Sequence, residues 1–148
     1  MAAVIHGKLV VAGRPNGDLL ASGSMLVSGE PLSLWGGYDQ HSGEIIDRRH
    51  ALSGRNARGC ILALPSSRGS STTTAILLEA ARNNTAPAAI LTQGVDTFFS
   101  LASIVADEMY GKAVTIVALE KEQFELLQDG AWAEVFFDGE IHIDHRIS

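Results

Sequence analysis

The sequence predicts a single α/β domain, with a β-rich N-terminal part followed by alternating strands and helices. Three observations carry this. Apolar runs of strand length ("GCILALP", "APAAILT" and "AVTIVALE") recur through the second half. Segments with helical spacing and helix stop signals lie between them. The N-terminal third is instead divided by glycines and turn pairs. Strands buried on both faces read as continuous apolar runs, and strands flanked by helices imply a partly parallel sheet with both faces covered. At 148 residues the chain is one domain, residues 1–148.

The elements follow in order. "HGKLVVAG" (residues 6–13) is a strand, stopped by the turn signal "RPNGD". Residues 19–28 form one or two short extended pieces. "GEPLSLWGGYDQHSGEIID" (29–47) is a long Gly-rich loop with a short strand at its end. Loops of that length in a compact domain are usually functional or covered by a partner. "GCILALP" is a buried strand, "TTAILLEAARNN" a helix with Asn-Asn at its exit, and residues 86–92 another buried strand. Residues 96–111 form a helix with Asp96 as cap and Gly111 as stop. Residues 113–120 form a strand, and 121–130 a short helix with Phe124 and Leu127 on one face. Residues 132–144 form a hairpin around Asp138-Gly139.

Hydrophobic residues make up 46% and charged residues 19%, a globular composition. The net charge of -6, with no run of Lys or Arg, argues against nucleic acid and anionic membranes as partners. Cys60 is the only cysteine, so an internal disulfide is impossible and a cytoplasmic location is expected. In its apolar setting it reads as a small core residue, and it cannot ligate a cysteine-bound cluster alone. The N-terminus shows no secretory signal, and no apolar stretch approaches the roughly 20 residues of a membrane span.

The junction "LPSSRGSSTTTAILLEAARNN" asks for an explanation. Four serines, three threonines and one glycine crowd between a buried strand and a helix start. The first helical N–H groups have no internal partner, and the helix dipole is positive there. Gly69 lets the backbone turn, and Ser70, Ser71 or Thr72 can cap the helix. Such a place suits a carboxylate or phosphate, and Arg68 could add a bidentate clamp. One hydroxyl suffices for a cap, so helix cap and ligand site both stand as readings. The stretch is neither a Walker P-loop nor a GxSxG elbow.

Three segments together resemble the small subunit of aconitase X, the swivelling domain of the aconitase superfamily. They are the "PLS-x-x-GG-x-D-x-x-x-G" loop from Pro31 to Gly43, the "P-x-x-x-GS" loop from Pro65 to Ser70, and the "APAAI" strand. The likeness covers roughly residues 5 to 120. It implies a swivelling β/β/α domain that closes over a large subunit. That partner holds an iron or iron–sulfur centre, which this chain does not bind alone. The family's loop reads Gly-Ser-Ser-Arg-Glu and its first serine is the base, which puts the catalytic base at Ser70. Ser67, Arg68, Gly69, Ser71 and Thr72 become substrate-binding residues. The family's arginine follows the serines, whereas Arg68 precedes Gly69.

The implied activity is a hydro-lyase acting on a small 3-hydroxy acid, either cis-3-hydroxy-L-proline or mevalonate 5-phosphate, with the former preferred. Dehydration needs a base for the carbon proton and a Lewis acid for the departing hydroxyl. A serine serves as base only as a stabilised alkoxide, and converging N–H groups at a helix start supply that setting. The competing reading is a non-catalytic anion-binding or regulatory module using the same loop.

Gly36, Gly37 and Asp39 are candidates for the cleft or the subunit interface, with Asp39 also able to fix its own loop. His41 in the same loop is a lesser candidate. His142 and His145 cannot chelate one ion from a strand and read as a solvated tail, so no metal site is assigned.

Overall fold

The computed structural model describes residues 2–68 and 72–144. β1 (Ala2–His6) and β2 (Lys8–Val11) come first, joined through Gly7, followed by β3 (Leu19–Val27) and β4 (Ile61–Leu64). Then come α1 (Thr72–Arg82), β5 (Ala89–Gln93), α2 (Thr97–Tyr110) and β6 (Thr115–Leu119). A single turn, α3 (Lys121–Phe124), leads into β7 (Trp132–Phe136) and β8 (Glu140–Asp144).

The strands form one sheet in the order β1-β8-β7-β3-β4-β5-β6-β2. β3 through β6 are parallel neighbours, and the other pairings are antiparallel. The two edge strands, β1 and β2, are consecutive in the chain, so the sheet is nearly closed on itself. β3 pairs with β7 through Ser24 and with β4 from Met25 onward, changing partner in mid-strand. Both corners carry a glycine. A Cβ on Gly7 would sit 2.4 Å from Val117 Cγ1, and one on Gly23 would sit 2.8 Å from the Gly59 carbonyl. Only glycine lets the backbone approach so closely where a strand bends.

The parallel strands are buried on both faces, as their apolar runs predict. Ile61, Ala63, Ala89, Leu91, Val117 and Leu119 face an inner core with Met25, Val135, Ile141 and Ile143. Leu62, Leu64, Ile90 and Ile116 face an outer core with Leu77 and Ala80 of α1 and Phe99 and Ala102 of α2. Both faces of the parallel strands are covered, as expected, by different layers. α1 and α2 share the outer face, while β1, β7 and β8, with Phe124 and Leu127, cover the inner one. The layering is β/β/α.

Asp96 and Gly111 take the predicted places: Asp96 accepts from the Phe99 N–H, and Gly111 adopts φ 63 as the left-handed C-cap. Asn84 ends α1 at φ 61, a conformation asparagine tolerates. The hairpin turns at Asp138-Gly139.

Several expectations differ from the structure. Residues 19–28 hold one nine-residue strand, because β3 must serve both parts of the sheet. Residues 29–47 hold no strand, only isolated bridges at Leu32, Tyr38, Glu44 and Ile45. This loop instead sinks Leu32, Leu34, Tyr38 and Ile45 into the outer core. The helix predicted over 121–130 is a single turn, since Phe124 and Leu127 turn inward to the core rather than along a helix face. His142 is no solvated tail: it sits in β8 opposite Val4 and Glu134, its Nε2 2.9 Å from Glu140 Oε1. His145 lies outside the described residues.

Closure is fastened where the hairpin turn meets the β1–β2 corner. The Gly7 N–H donates to the Gly139 carbonyl at 2.9 Å, and a Cβ on Gly139 would lie 2.3 Å from the Gly7 carbonyl. Gly139→Ala is therefore expected to cost about 2–3 kcal/mol. Gly17→Ala, also at positive φ but in open space, should cost about 1–2 kcal/mol. Urea unfolding midpoints of the two variants check the difference.

Candidate active site

The candidate loop leaves the C-terminal end of β4, where three parallel strands end side by side. The Pro65 carbonyl accepts from the Gln93 N–H at 3.1 Å, and the Gly94 N–H donates to the Leu119 carbonyl at 2.9 Å. Ser67 bridges to Leu32, and the Arg68 N–H donates to the Leu32 carbonyl at 3.1 Å. The stem of the serine loop is thus stitched to the next strand on one side and to the long loop on the other.

One carboxylate then fixes the stem to the second helix. Asp96 Oδ2 accepts from both the N–H and the hydroxyl of Ser67, at 2.7 and 2.8 Å. Its Oδ1 accepts from the Phe99 N–H at 2.9 Å. Asp96 is 8% exposed. Hydrogen bonds to a charged acceptor contribute roughly 1.5–3 kcal/mol each, so this is a strong local constraint. The sequence marks Asp96 as a helix cap. Nothing in the spacing shows that its second oxygen serves a loop 29 residues earlier.

Gly69, Ser70 and Ser71 lie outside the described residues. Around them, Arg68 is exposed and Thr72 is the first residue of α1, also exposed. Thr72 therefore stands inside the helix rather than ahead of it as the cap. The first turn of α1 carries no acidic side chain, and the nearby Asp96 carboxylate is engaged by the Ser67 donors and the Phe99 N–H. Among the described residues the Thr73 and Thr74 hydroxyls are enclosed without a hydrogen-bond partner. Leaving such groups unpaired costs roughly 1–3 kcal/mol each.

Two clefts open at the same edge. One, of about 580 Å³, is lined by His6, Lys8, Gln93 and Lys121, and the other, of about 490 Å³, by Val27, Pro65, Gln93 and Phe124. Gln93 lines both, directly beside the stem at Pro65.

The glycine-rich loop is divided in its placement. Its entry at Leu32 meets the serine-loop stem, but Tyr38 to Gly43 are fastened to the other end of α1. The buried Tyr38 hydroxyl donates to the Thr85 carbonyl at 2.7 Å, and the Thr85 hydroxyl donates to the Gln40 carbonyl at 2.5 Å. An 11-residue helix is about 16 Å long, so Asp39 stands well away from Arg68. Gly36 adopts φ 73, and a Cβ on Gly37 would collide with the Ser33 carbonyl at 2.2 Å. These glycines make the turn possible. Asp39 Oδ1 accepts from the His41 N–H at 2.9 Å, and that bond, with help from Ser42, holds its carboxyl below the usual aspartate range. His41 is exposed on this far turn.

His50 was not singled out by the sequence, yet it organises the same loop. It is buried; its Nδ1 accepts from the Leu52 N–H at 3.1 Å and its Nε2 donates to the Glu30 carbonyl at 3.2 Å. Cys60 is half-buried against the Asn56 carbonyl, and burial pushes its thiol pKa up. Among the described residues no three His, Cys, Asp or Glu side chains are grouped to hold a metal ion.

Comparison with known proteins bears on this arrangement. The family model "Aconitase X swivel domain" matches residues 4–143. The chain belongs to the aconitase X swivel-domain family. It is 44% identical over 126 residues to cis-3-hydroxy-L-proline dehydratase of Pseudomonas aeruginosa, covering 85% of this chain and 21% of that protein. It is 40% identical over 84 residues to the phosphomevalonate dehydratase small subunit of Methanothermobacter thermautotrophicus, covering 57% of this chain and 64% of that one. The crystal structure of Thermococcus kodakaraensis aconitase X in its holo-form superposes with a TM-score of 0.80 at 27% identity, covering 95% of this chain and 98% of that chain. The aconitase X swivel domain thus spans about a fifth of the Pseudomonas dehydratase. No helix among its described residues is long and apolar enough to cross a membrane.

The Asp39 turn gives a pH-dependent prediction. Its folded pKa is lowered, so the stability it supplies is complete above its unfolded value near 3.8. That stability disappears as pH falls through the lower folded value. Asp39→Ala should therefore destabilise the chain at neutral pH and flatten the part of the acid-unfolding slope below about pH 4. Urea titrations at stepped pH measure this.

Proposed function

We propose that this chain is the small component of an aconitase X-type dehydratase. It works with a large subunit to remove water from a small 3-hydroxy acid, with cis-3-hydroxy-L-proline as substrate. The 44% identity to the Pseudomonas dehydratase carries this reading. Ser70 is the base. As an alkoxide it takes the proton from the carbon beside the substrate carboxylate and becomes a neutral hydroxyl. The electron pair of that C–H bond forms the double bond, and the C–O bond on the next carbon breaks with its pair on oxygen, so that hydroxide departs and becomes the released water on taking up a proton.

The chain's contribution rests on position. The helix start has the polarity to hold an alkoxide and a carboxylate near each other, and Arg68 and Thr72 stand beside it. Ser67 fixes the stem rather than the substrate, because both its donors are already committed to Asp96. The iron or iron–sulfur centre that the family resemblance implies is, in this reading, held by the large subunit. Gly36 and Gly37 shape the loop, and Asp39 holds it, at a distance from the reaction.

A second reading is a phosphomevalonate dehydratase small subunit acting on mevalonate 5-phosphate. It is favoured by the organisation of the match, since this chain covers 64% of the Methanothermobacter small subunit.

The test is the complex with the large subunit, purified without oxygen and assayed on both substrates. Dehydration of cis-3-hydroxy-L-proline is expected, falling by about 10²–10⁴-fold in Ser70→Ala with assembly unchanged. Turnover of mevalonate 5-phosphate alone would select the second reading. A complex equally active with Ser70→Ala would remove Ser70 from the mechanism, and a chain that takes up no such partner would leave an anion-binding module.

A further inference from the structure

We infer that Asp96 is a positioning residue of the reaction: its buried carboxylate fixes the stem of the serine loop to the start of α2, and turnover depends on that fixation. The inference rests on the reading of Ser70 as base.

The geometry is specific. Asp96 spends one oxygen on its own helix, accepting from the Phe99 N–H at 2.9 Å. The other oxygen takes two donors from Ser67, at 2.7 and 2.8 Å. A cap needs only the first of these. The second set joins two segments that otherwise belong to different strand-to-helix connections. Ser67 is three residues before Ser70, and Arg68 is held on its far side by the Leu32 carbonyl at 3.1 Å. The stem therefore enters the serine loop with its backbone held from both flanks. A base held about 1 Å out of place can lose a hundredfold in rate, so rigidity at this point is of direct chemical consequence. Asp96 is itself immobilised: it is buried, and its carbonyl accepts from the Ser100 hydroxyl at 2.6 Å.

Graded substitutions separate this role from simple capping. Asp96→Ser keeps a capping oxygen for the Phe99 N–H but is too short to serve Ser67 as well. Asp96→Asn keeps the size and one acceptor, leaving an NH2 group against the Ser67 donors. In the assembled complex, at a temperature where all variants stay folded, kcat should fall about 10-fold in Asp96→Asn and about 100-fold in Asp96→Ser. KM should rise less than kcat falls, because Asp96 and Ser67 themselves do not touch the substrate and any rise comes only through Arg68 on the loosened stem. Amide hydrogen exchange at Ser67 and Arg68 in the full chain should speed up in the same order, while β4 stays protected. A purely structural cap would lower the melting temperature and leave kcat per assembled complex unchanged.

An Asp96→Ser complex with wild-type kcat and a released Ser67 amide would overturn the inference. So would an Asp96→Ser chain whose Ser67 exchange is unaltered, a result that stands whether or not turnover is found. The parallel Ser70→Ala complex tells the two failures apart. If it is inactive while Asp96→Ser is fully active, only the positioning role falls. If Ser70→Ala is fully active, the assignment of the base falls.

Discussion

Burial of both faces of β4, β5 and β6 is the constraint from which the rest of the architecture follows. Ile61–Leu64 and Thr115–Leu119 are buried at every position, and Ala89–Gln93 at every position but the last. No single layer can cover strands of that kind. The helices take the outer face. The inner face can be reached only by folding the rest of the sheet over it, so β3 must change partners midway and the chain must bend at Gly7. The corner glycines, the split pairing of β3 and the terminal hairpin are consequences of one demand for an apolar second cover.

The same demand pushes polar chemistry to the strand ends. With both faces apolar, a loop carrying serines and an arginine has a place only beyond the last buried residue. At that edge the backbone loses its ladder partners and needs others. The Pro65, Leu32 and Leu119 carbonyls take neighbouring N–H groups, and Asp96 takes the donors of Ser67 that remain. The buried carboxylate follows from this. Its charge is tolerated because three donors converge on it, and the result is a stem held more firmly than a solvent-exposed loop would be.

How much of this was legible in the sequence depended on how local the cause was. Asp96 and Gly111 at the ends of α2, the Asp138-Gly139 hairpin and the buried strands of the second half each follow from a few adjacent residues. What depended on distant partners was not legible. β3 reads as interrupted because its small residues answer to two different neighbours, β7 and β4. The short helix predicted after Glu120 fails because Phe124 and Leu127 are drawn into the inner core. Asp39 could be read as fixing its turn, and it does. That the turn is tied to Thr85 at the far end of α1 appears only once Tyr38 is buried there. The reading of the serine loop as a site came in a third way, from its likeness to a family, since composition alone left it balanced between a cap and a ligand site.

The division of labour in the proposed enzyme follows from what this chain does and does not place at its rim. The helix start offers donors and a positive dipole, the means of holding negative charge, and the first turn of α1 has no acid to oppose it. Its neighbours Arg68 and Thr72 are exposed, and the adjoining clefts are open to solvent on this chain. An alkoxide base in such a place would be quenched by water unless a second surface closed over it. In the proposed enzyme this chain would supply the base and the anion site beyond a firmly held stem, and the group that assists the leaving hydroxyl would come with the covering partner. Separating the two halves in this way would tie proton abstraction to closure: a carbon proton is removed only when substrate, base and leaving-group assistance are in register, and open subunits hold an idle serine.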